Sequence, residues 1–221
     1  MLFLKSHHAA FVLVYLICFL LDPFRFLSVA GDIHQLLNFT LYILVAIFGI
    51  WLFQDDLKDS YSKFKQHIWR SLGILLLSTI LVFVGQILAT LLMGILYQVF
   101  ELAKEKGINQ ASVEQLLQGR RLIVLAVFSI ALTGPLVEEL VFRKSLIDMG
   151  KKHLRLFIIL QALLFAGIHM HALQVSEFIS VIPQLITAFT FGVIYAKSKQ
   201  ILYPIIVHIL FNTLAIIFLL I

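Results

Sequence analysis

Seven long apolar segments, separated by short charged stretches, constrain the fold of this chain more than any other feature. A helix needs about 20 apolar residues to cross the hydrocarbon core of a bilayer, because each residue adds about 1.5 Å of rise. The chain is therefore predicted to be an all-α, polytopic membrane protein with about seven transmembrane helices (six to eight). The predicted spans are approximately Ala9–Val29, Leu36–Phe53, Ser71–Phe100, Leu122–Leu146, Leu154–Ala172, Phe178–Ala196 and Ile201–Ile221.

The composition excludes an ordinary soluble domain. Of the 221 residues, 61% are hydrophobic and only 13% are charged, whereas about a quarter of the residues in a soluble domain are charged. The net charge of +5 is explained by basic residues in the short cytoplasmic loops of a membrane protein, so it does not indicate a nucleic-acid partner. The lone cysteine, Cys18, leaves no disulfide framework. We expect the lipid bilayer to surround the protein and no nucleic acid to bind it.

The basic residues predict an orientation in the membrane. They are concentrated before span one and in the loops between spans two and three, four and five, and six and seven. Short cytoplasmic loops carry such an excess, so the N-terminus is predicted inside and the C-terminus outside. The external segment Glu101–Arg121 contains a capping-box pattern from Ser112 to Gln115, which predicts a short interfacial helix with Ser112 as its N-cap. Asp22 and Arg25 are interpreted as a structural ion pair near the membrane boundary.

Polar residues inside the apolar spans are the candidate functional groups, because ionisable side chains are costly in a bilayer. Counted from the cytoplasmic loops, Glu138 lies at roughly 18 Å, His169 at roughly 25 Å and His208 at roughly 12 Å along their helices. With ordinary tilt, these residues and Asn212 can line one cavity. The three motifs are Glu138-Glu139-x-x-x-Arg143 in span four, Phe165-x-x-x-His169 in span five and His208-x-x-x-Asn212 in span seven.

In this order and on successive apolar segments, the three motifs resemble those of the CAAX prenyl endopeptidase and bacteriocin-processing family, also called the Abi family. The resemblance extends from about Leu122 to Leu219. Residues 121–221 are therefore expected to form the catalytic region and residues 1–120 a transmembrane scaffold, within one membrane domain. The resemblance implies an intramembrane endopeptidase of the glutamate type that cleaves a membrane-associated peptide or protein. The compact chain, without targeting signals, is expected to be a bacterial protein of the cytoplasmic membrane.

The resemblance also implies catalytic roles. Glu138 with His169 would activate a water molecule for peptide hydrolysis. His208 with Asn212 would hold the oxygen that becomes negative in the tetrahedral intermediate. The sequence leaves open whether Glu138 or Glu139 is the base.

Three further motif residues are interpreted as support. Glu139 and Arg143, an i to i+4 pair, would neutralise two costly charges and orient the neighbouring carboxylate. Phe165 would pack beside the site.

Two other functions stay open at this point. One is a non-proteolytic protein, either a bacteriocin self-immunity factor or a membrane scaffold. The other is a zinc-dependent membrane protease, because Glu138, His169 and His208 are the ligand types of a catalytic zinc. The His-Glu-x-x-His zinc motif does not occur in the sequence, so we expect no cofactor, with zinc as the alternative. The sequence indicates neither the substrate's identity nor the oligomeric state.

The orientation is testable by cysteine labelling. In a Cys18→Ser background, single cysteines placed between Gln54 and Arg70 should resist a membrane-impermeant maleimide in intact cells, because this loop is predicted to be cytoplasmic. Single cysteines between Glu101 and Arg121 should react. Labelling of the first group from outside would reverse the predicted orientation.

Overall fold

The computed structural model describes residues 2–21, 23–24, 26–29, 31–103, 107–118 and 121–220. For residues 2–6 and 109 it describes the backbone only. Every regular element in these ranges is helical, which confirms the all-α class. The proposed Asp22–Arg25 pair lies outside the described residues. In chain order the helices are α1 (Leu2–Tyr15), α2 (Gly31–Leu52), α3 (Gln54–Gln66), α4 (Ile68–Val99), α5 (Ile108–Gln118), α6 (Ile123–Ile147), α7 (Leu154–Ile168), α8 (Val175–Ser180), α9 (Ile182–Ser198) and α10 (Leu202–Leu220).

The lengths of the helices confirm a polytopic membrane protein. Within the described ranges, five helical segments are long and apolar enough to cross a membrane: α2, α4, α6, α8 with α9, and α10. The other two predicted spans are shorter helices. The first is α1, which continues as a π-helical turn over Leu16–Leu20 and ends shortly before Pro23, whose ring disfavours helical backbone in the residue before it. The fifth, α7, has 15 residues.

The predicted cytoplasmic loop between spans two and three contains a helix. In α3 the apolar side chains of Leu57 and Phe64 pack against the hydrophobic clusters, and Ser60 is buried. Lys58 and Lys63 are exposed on the opposite face. Because the helix is amphipathic and polar overall, a search for apolar spans does not find it.

The predicted helix after Glu101 forms as α5, but the capping box that predicted its start is wrong. The helix begins at Ile108, and the Ser112 hydroxyl donates to the Ile108 carbonyl at 2.9 Å, inside the helix. The first backbone N–H groups of a helix need acceptors from outside it. Here the Ile108 N–H donates to the Glu177 carboxylate, 3.1 Å away, a partner that no local pattern reveals.

Helix α6 lies at the centre of the packing. It contacts α1, α2, α7, α9 and α10, and its side chains Val137, Leu140 and Val141 belong to the main hydrophobic cluster. At Gly49 the helices α1, α2 and α6 meet so closely that a Cβ atom would lie 2.8 Å from the Phe11 ring and 2.9 Å from Leu140. Any larger residue at this crossing would force the Phe11 or Leu140 side chain to move.

A polar network joins α6 to two other helices just beyond its last turn. The Asp148 carboxylate accepts the Tyr195 hydroxyl of α9 at 2.9 Å and pairs with Lys144 at 3.1 Å and Lys151 at 3.3 Å. Lys144 also reaches Asp56 of α3 at 2.5 Å. This network ties the amphipathic helix α3 to the helix that carries the first motif.

The Gly49 crossing predicts a contrast between two substitutions. Gly49→Leu should lower stability by about 1–3 kcal/mol, the usual range for overpacking a core, because the new side chain must displace Phe11 and Leu140. The matched control is Gly73→Leu on α4, where nothing lies within 4 Å of the added Cβ atom. Thermal unfolding in detergent would measure both, and equal stability of the two variants would contradict this packing.

Candidate active site

The backbone of α6 widens twice around the first motif. The segments Ser129–Thr133 and Glu139–Ile147 are π-helical, with hydrogen bonds from residue i+5 to residue i. Such turns are rare in helices and frequent at functional sites. Glu138 ends the short α-helical stretch between them, so the two glutamates lie at the junction.

A proline in this helix provides an acceptor for the third motif. The Gly134 N–H donates to the Ser129 carbonyl, five residues earlier. In the same pattern the next donor would be residue 135, but Pro135 has no N–H. The carbonyl of Ile130 is thus left to accept from the side-chain amide of Asn212, at 2.9 Å. This bond fixes Asn212 on α10 against α6.

Glu139 is the centre of a buried polar cluster. Its Oε1 atom lies 3.0 Å from the Arg143 guanidinium and 2.8 Å from Nδ1 of His208. The side chains of Glu139 and Arg143 have no solvent exposure, and His208 is buried as well. Because a carboxylate paired with arginine only accepts hydrogen bonds, Nδ1 of His208 carries a hydrogen and donates it to Glu139.

Aromatic rings and a backbone carbonyl complete the surroundings of Arg143. The guanidinium carbon lies 4.9 Å from the ring centre of Phe165 and 5.3 Å from that of Phe191, within the range of cation–π attraction. Its Nη2 atom donates to the Ala188 carbonyl at 3.4 Å, and Gln161 donates to the same oxygen at 2.9 Å. Three helices thus hold one cation.

Glu138 has a different environment from its neighbour. Its Oε2 atom lies 3.7 Å from Nε2 of His208, and its side chain is 14% exposed. This distance is beyond a direct hydrogen bond. A separation of this kind allows one water molecule to contact both groups.

His169 is held at the end of α7 by the first residue of its own motif. Its Nδ1 atom lies 2.7 Å from the Phe165 carbonyl, and its ring lies 4.7 Å from the Phe165 ring. A carbonyl only accepts, so Nδ1 carries the hydrogen and Nε2 is left as the basic atom. Phe165 also contacts the His208 ring edge-on at 6.2 Å and thereby lies between the two histidines.

The structure thus brings Glu138, Glu139, Arg143 and His208 into one cluster, with Phe165 against it. No hydrogen bond or ion pair joins Glu138 to His169 among the described residues, and Asn212 bonds to the backbone of α6. Sequence reasoning missed three contributors to the surroundings: Gln161, Ala188 and Phe191. Only Gln161 had a signal, as a polar side chain within an apolar span.

A zinc site would need at least three ligand side chains close together. In the part of the chain that the structure describes, no three histidine, cysteine, aspartate or glutamate side chains are close enough together to hold a metal ion. The set Glu138, His169 and His208 therefore does not form a metal site in this arrangement.

Fold and cluster together define a polytopic membrane protein with a buried Glu–Arg–His group inside its spanning helices. Residues 120–214 match the family model described as Type II CAAX prenyl endopeptidase Rce1-like, and all seven motif residues lie in this range. This part of the chain is therefore similar to the CAAX prenyl endopeptidases.

A curated membrane protein is similar to part of this chain. The chain is 25% identical over 123 residues to the "Putative membrane peptidase YdiL" of Bacillus subtilis (strain 168). The alignment covers 55% of this chain and 46% of that protein, so the chain matches about half the length of its relative. No solved structure gives a significant match.

The buried cluster predicts unequal effects for two adjacent glutamates. Glu139→Gln should cost about 3–5 kcal/mol of stability, because it leaves the unexposed Arg143 charge without its carboxylate. The same change at the partly exposed Glu138 should leave folding intact. Membrane yield and thermal unfolding measure both variants. Adding Arg143→Met to Glu139→Gln should restore stability, and an equal loss for Glu138→Gln would contradict the assignment.

Proposed function

We propose that this protein is an intramembrane endopeptidase that hydrolyses peptide bonds of a membrane-associated peptide or protein. The observation that carries the proposal is the cluster of Glu139, Arg143 and His208 beside the partly exposed Glu138, within the segment that matches an endopeptidase family. A buried, charged constellation of this kind is costly within a membrane, and for that reason it indicates a functional site.

Water activation is assigned to Glu138 and His169. Glu138 is the carboxylate of the pair that reaches solvent, while Glu139 is committed to Arg143 and His208. His169 donates from Nδ1 to the Phe165 carbonyl and so directs a basic Nε2 away from its own helix. A water molecule between Glu138 and His169 would lose its proton to the carboxylate as it attacks the peptide carbonyl.

Stabilisation of the oxyanion is assigned to His208 and Asn212. Glu138, Glu139 and Arg143 carry a formal charge of −1 together, so a protonated His208 would bring the cluster to neutrality. Nε2 of that imidazolium would then be a donor for a developing negative charge. The Asn212 amide uses one N–H on the Ile130 carbonyl and has a second N–H to offer.

The remaining features of the proposal follow from the membrane setting. The substrate enters from the bilayer or its surface, in the cytoplasmic membrane of a bacterium, with the N-terminus of the protein inside. No cofactor is required, because carboxylate, imidazole and amide groups supply every proton transfer and hydrogen bond named above.

The catalytic roles predict a defined pattern of rate losses. Glu138→Gln keeps the size of the side chain but cannot take a proton, so hydrolysis should fall by about 10²-fold or more. His169→Ala should behave in the same way, and the double variant should lose little more than either single one, since the two groups act as a unit. The assay uses full-length protein in lipid vesicles and a panel of internally quenched apolar peptides.

Two controls separate the alternatives. Phe218→Leu, at an exposed position near the end of α10, should retain wild-type turnover. Each protein is also assayed after exhaustive chelation, and full loss restored by stoichiometric zinc would favour the metalloprotease. If Glu138→Gln and His169→Ala fold normally and keep wild-type biological activity, the protein acts by binding, as an immunity factor or scaffold.

A further inference from the structure

Glu177 is a buried carboxylate that none of the three motifs contains. It lies in the short helix α8, is 4% exposed, and uses both carboxylate oxygens on backbone N–H groups from two other segments. A carboxylate withdrawn from water is costly unless hydrogen bonds replace its hydration. The two carboxylate oxygens of Glu177 therefore link two segments that are distant in sequence.

The first of these segments is the loop that follows His169. Helix α7 ends at Ile168 and α8 begins at Val175, so residues 169–174 connect them without a helix of their own. Within this loop the His171 N–H donates to Oε2 of Glu177 at 3.3 Å. His171 is two residues from His169, so the bond fixes the backbone on the loop side of the proposed catalytic imidazole.

The second segment is the external helix α5. The Ile108 N–H, at its first turn, donates to Oε1 of Glu177 at 3.1 Å. Gly107 comes so close that a Cβ atom there would lie 2.9 Å from the Ser180 hydroxyl oxygen and 3.9 Å from Oε1 of Glu177. One carboxylate thus docks α5 against the segment that carries the His169 loop.

We propose that Glu177 is a positioning residue for the reaction, which fixes the loop after His169 with one oxygen and docks α5 beside it with the other. This role rests on the proposed function of His169. Two separate acceptors are needed, so a glutamine, with one carbonyl oxygen, can keep only one of the two bonds. An alanine keeps neither. The effects should therefore increase from Glu177→Gln to Glu177→Ala.

The loop anchor is tested without a substrate by hydrogen–deuterium exchange of the full-length protein in phosphatidylcholine and phosphatidylglycerol nanodiscs. In Glu177→Ala, exchange in peptides covering 169–174 and 108–118 should rise by about tenfold or more, since a hydrogen-bonded amide exchanges only when its bond opens. Unchanged exchange of 169–174 in this variant would overturn the proposal.

Two matched variants separate the two bonds from general loosening of the segment. Ile108→Pro removes only the α5 donor, at a first-turn position that accepts proline, and should speed exchange of 108–118 while 169–174 stays protected. Ser180→Ala removes a hydroxyl that donates to the Glu177 backbone carbonyl at 2.9 Å and leaves the carboxylate alone, so 169–174 should exchange as in the wild type. Equal deprotection of 169–174 in all three variants would contradict a specific anchor.

The catalytic consequence is measured with the quenched peptide that the wild type cleaves. Glu177→Ala should lower kcat by about 10- to 100-fold per folded molecule, with little change in KM, because small displacements of a catalytic group reduce rates on this scale. In a His169→Ala background the same change should have little further effect, since both act through one imidazole. Losses that multiply would show a role independent of His169 and overturn the positioning assignment.

This design also separates the two proposals. If the wild type cleaves no peptide, or if His169→Ala cleaves the peptides as fast as the wild type, the proposed function of His169 fails. The positioning role of Glu177 then fails with it. If His169→Ala is inactive but Glu177→Ala keeps the wild-type kcat, the proposed function stands and only the role of Glu177 is wrong.

Discussion

A guanidinium and a carboxylate without any solvent exposure, placed in a membrane-spanning helix, impose the strictest condition on this structure. Removing either charge from water costs several kcal/mol, which the partner alone repays only with good geometry and further hydrogen bonds. Arg143 therefore needs Glu139, the Ala188 carbonyl and two aromatic faces. These partners belong to α6, α7 and α9, so one cation holds three helices together. His208 brings α10 to the same carboxylate.

The same cluster places two adjacent carboxylates in different environments. Oε1 of Glu139 contacts both Arg143 and His208, whereas Glu138 is partly exposed and lies 3.7 Å from the His208 ring. Adjacent residues on a helix face different directions, and the junction with the π-helical segment lies between these two. The proposed base and the carboxylate of the buried ion pair can therefore be neighbours in sequence.

The sequence predicted the parts of the structure that depend on periodicity and on solubility in lipid. Apolar length gave the membrane class and the approximate spans, and the spacing of Glu139 and Arg143 gave their ion pair. Partners distant in sequence left no local trace. The start of α5 is the clearest case. The capping pattern at Ser112 was locally plausible, but the acceptor for the first N–H of the helix is Glu177, far along the chain.

Helix α7 has consequences for the bilayer itself. Its 15 residues extend about 22 Å, against a hydrocarbon core of about 30 Å. If α7 starts at the level of the headgroups on one side, the loop with His169 and His171 lies below the headgroups on the other side. A short helix among longer ones forces this hydrophobic mismatch on the lipids around it. In a bilayer, a helix of this length draws headgroups and water inward at one of its ends, so the loop that contains His169 would be close to water.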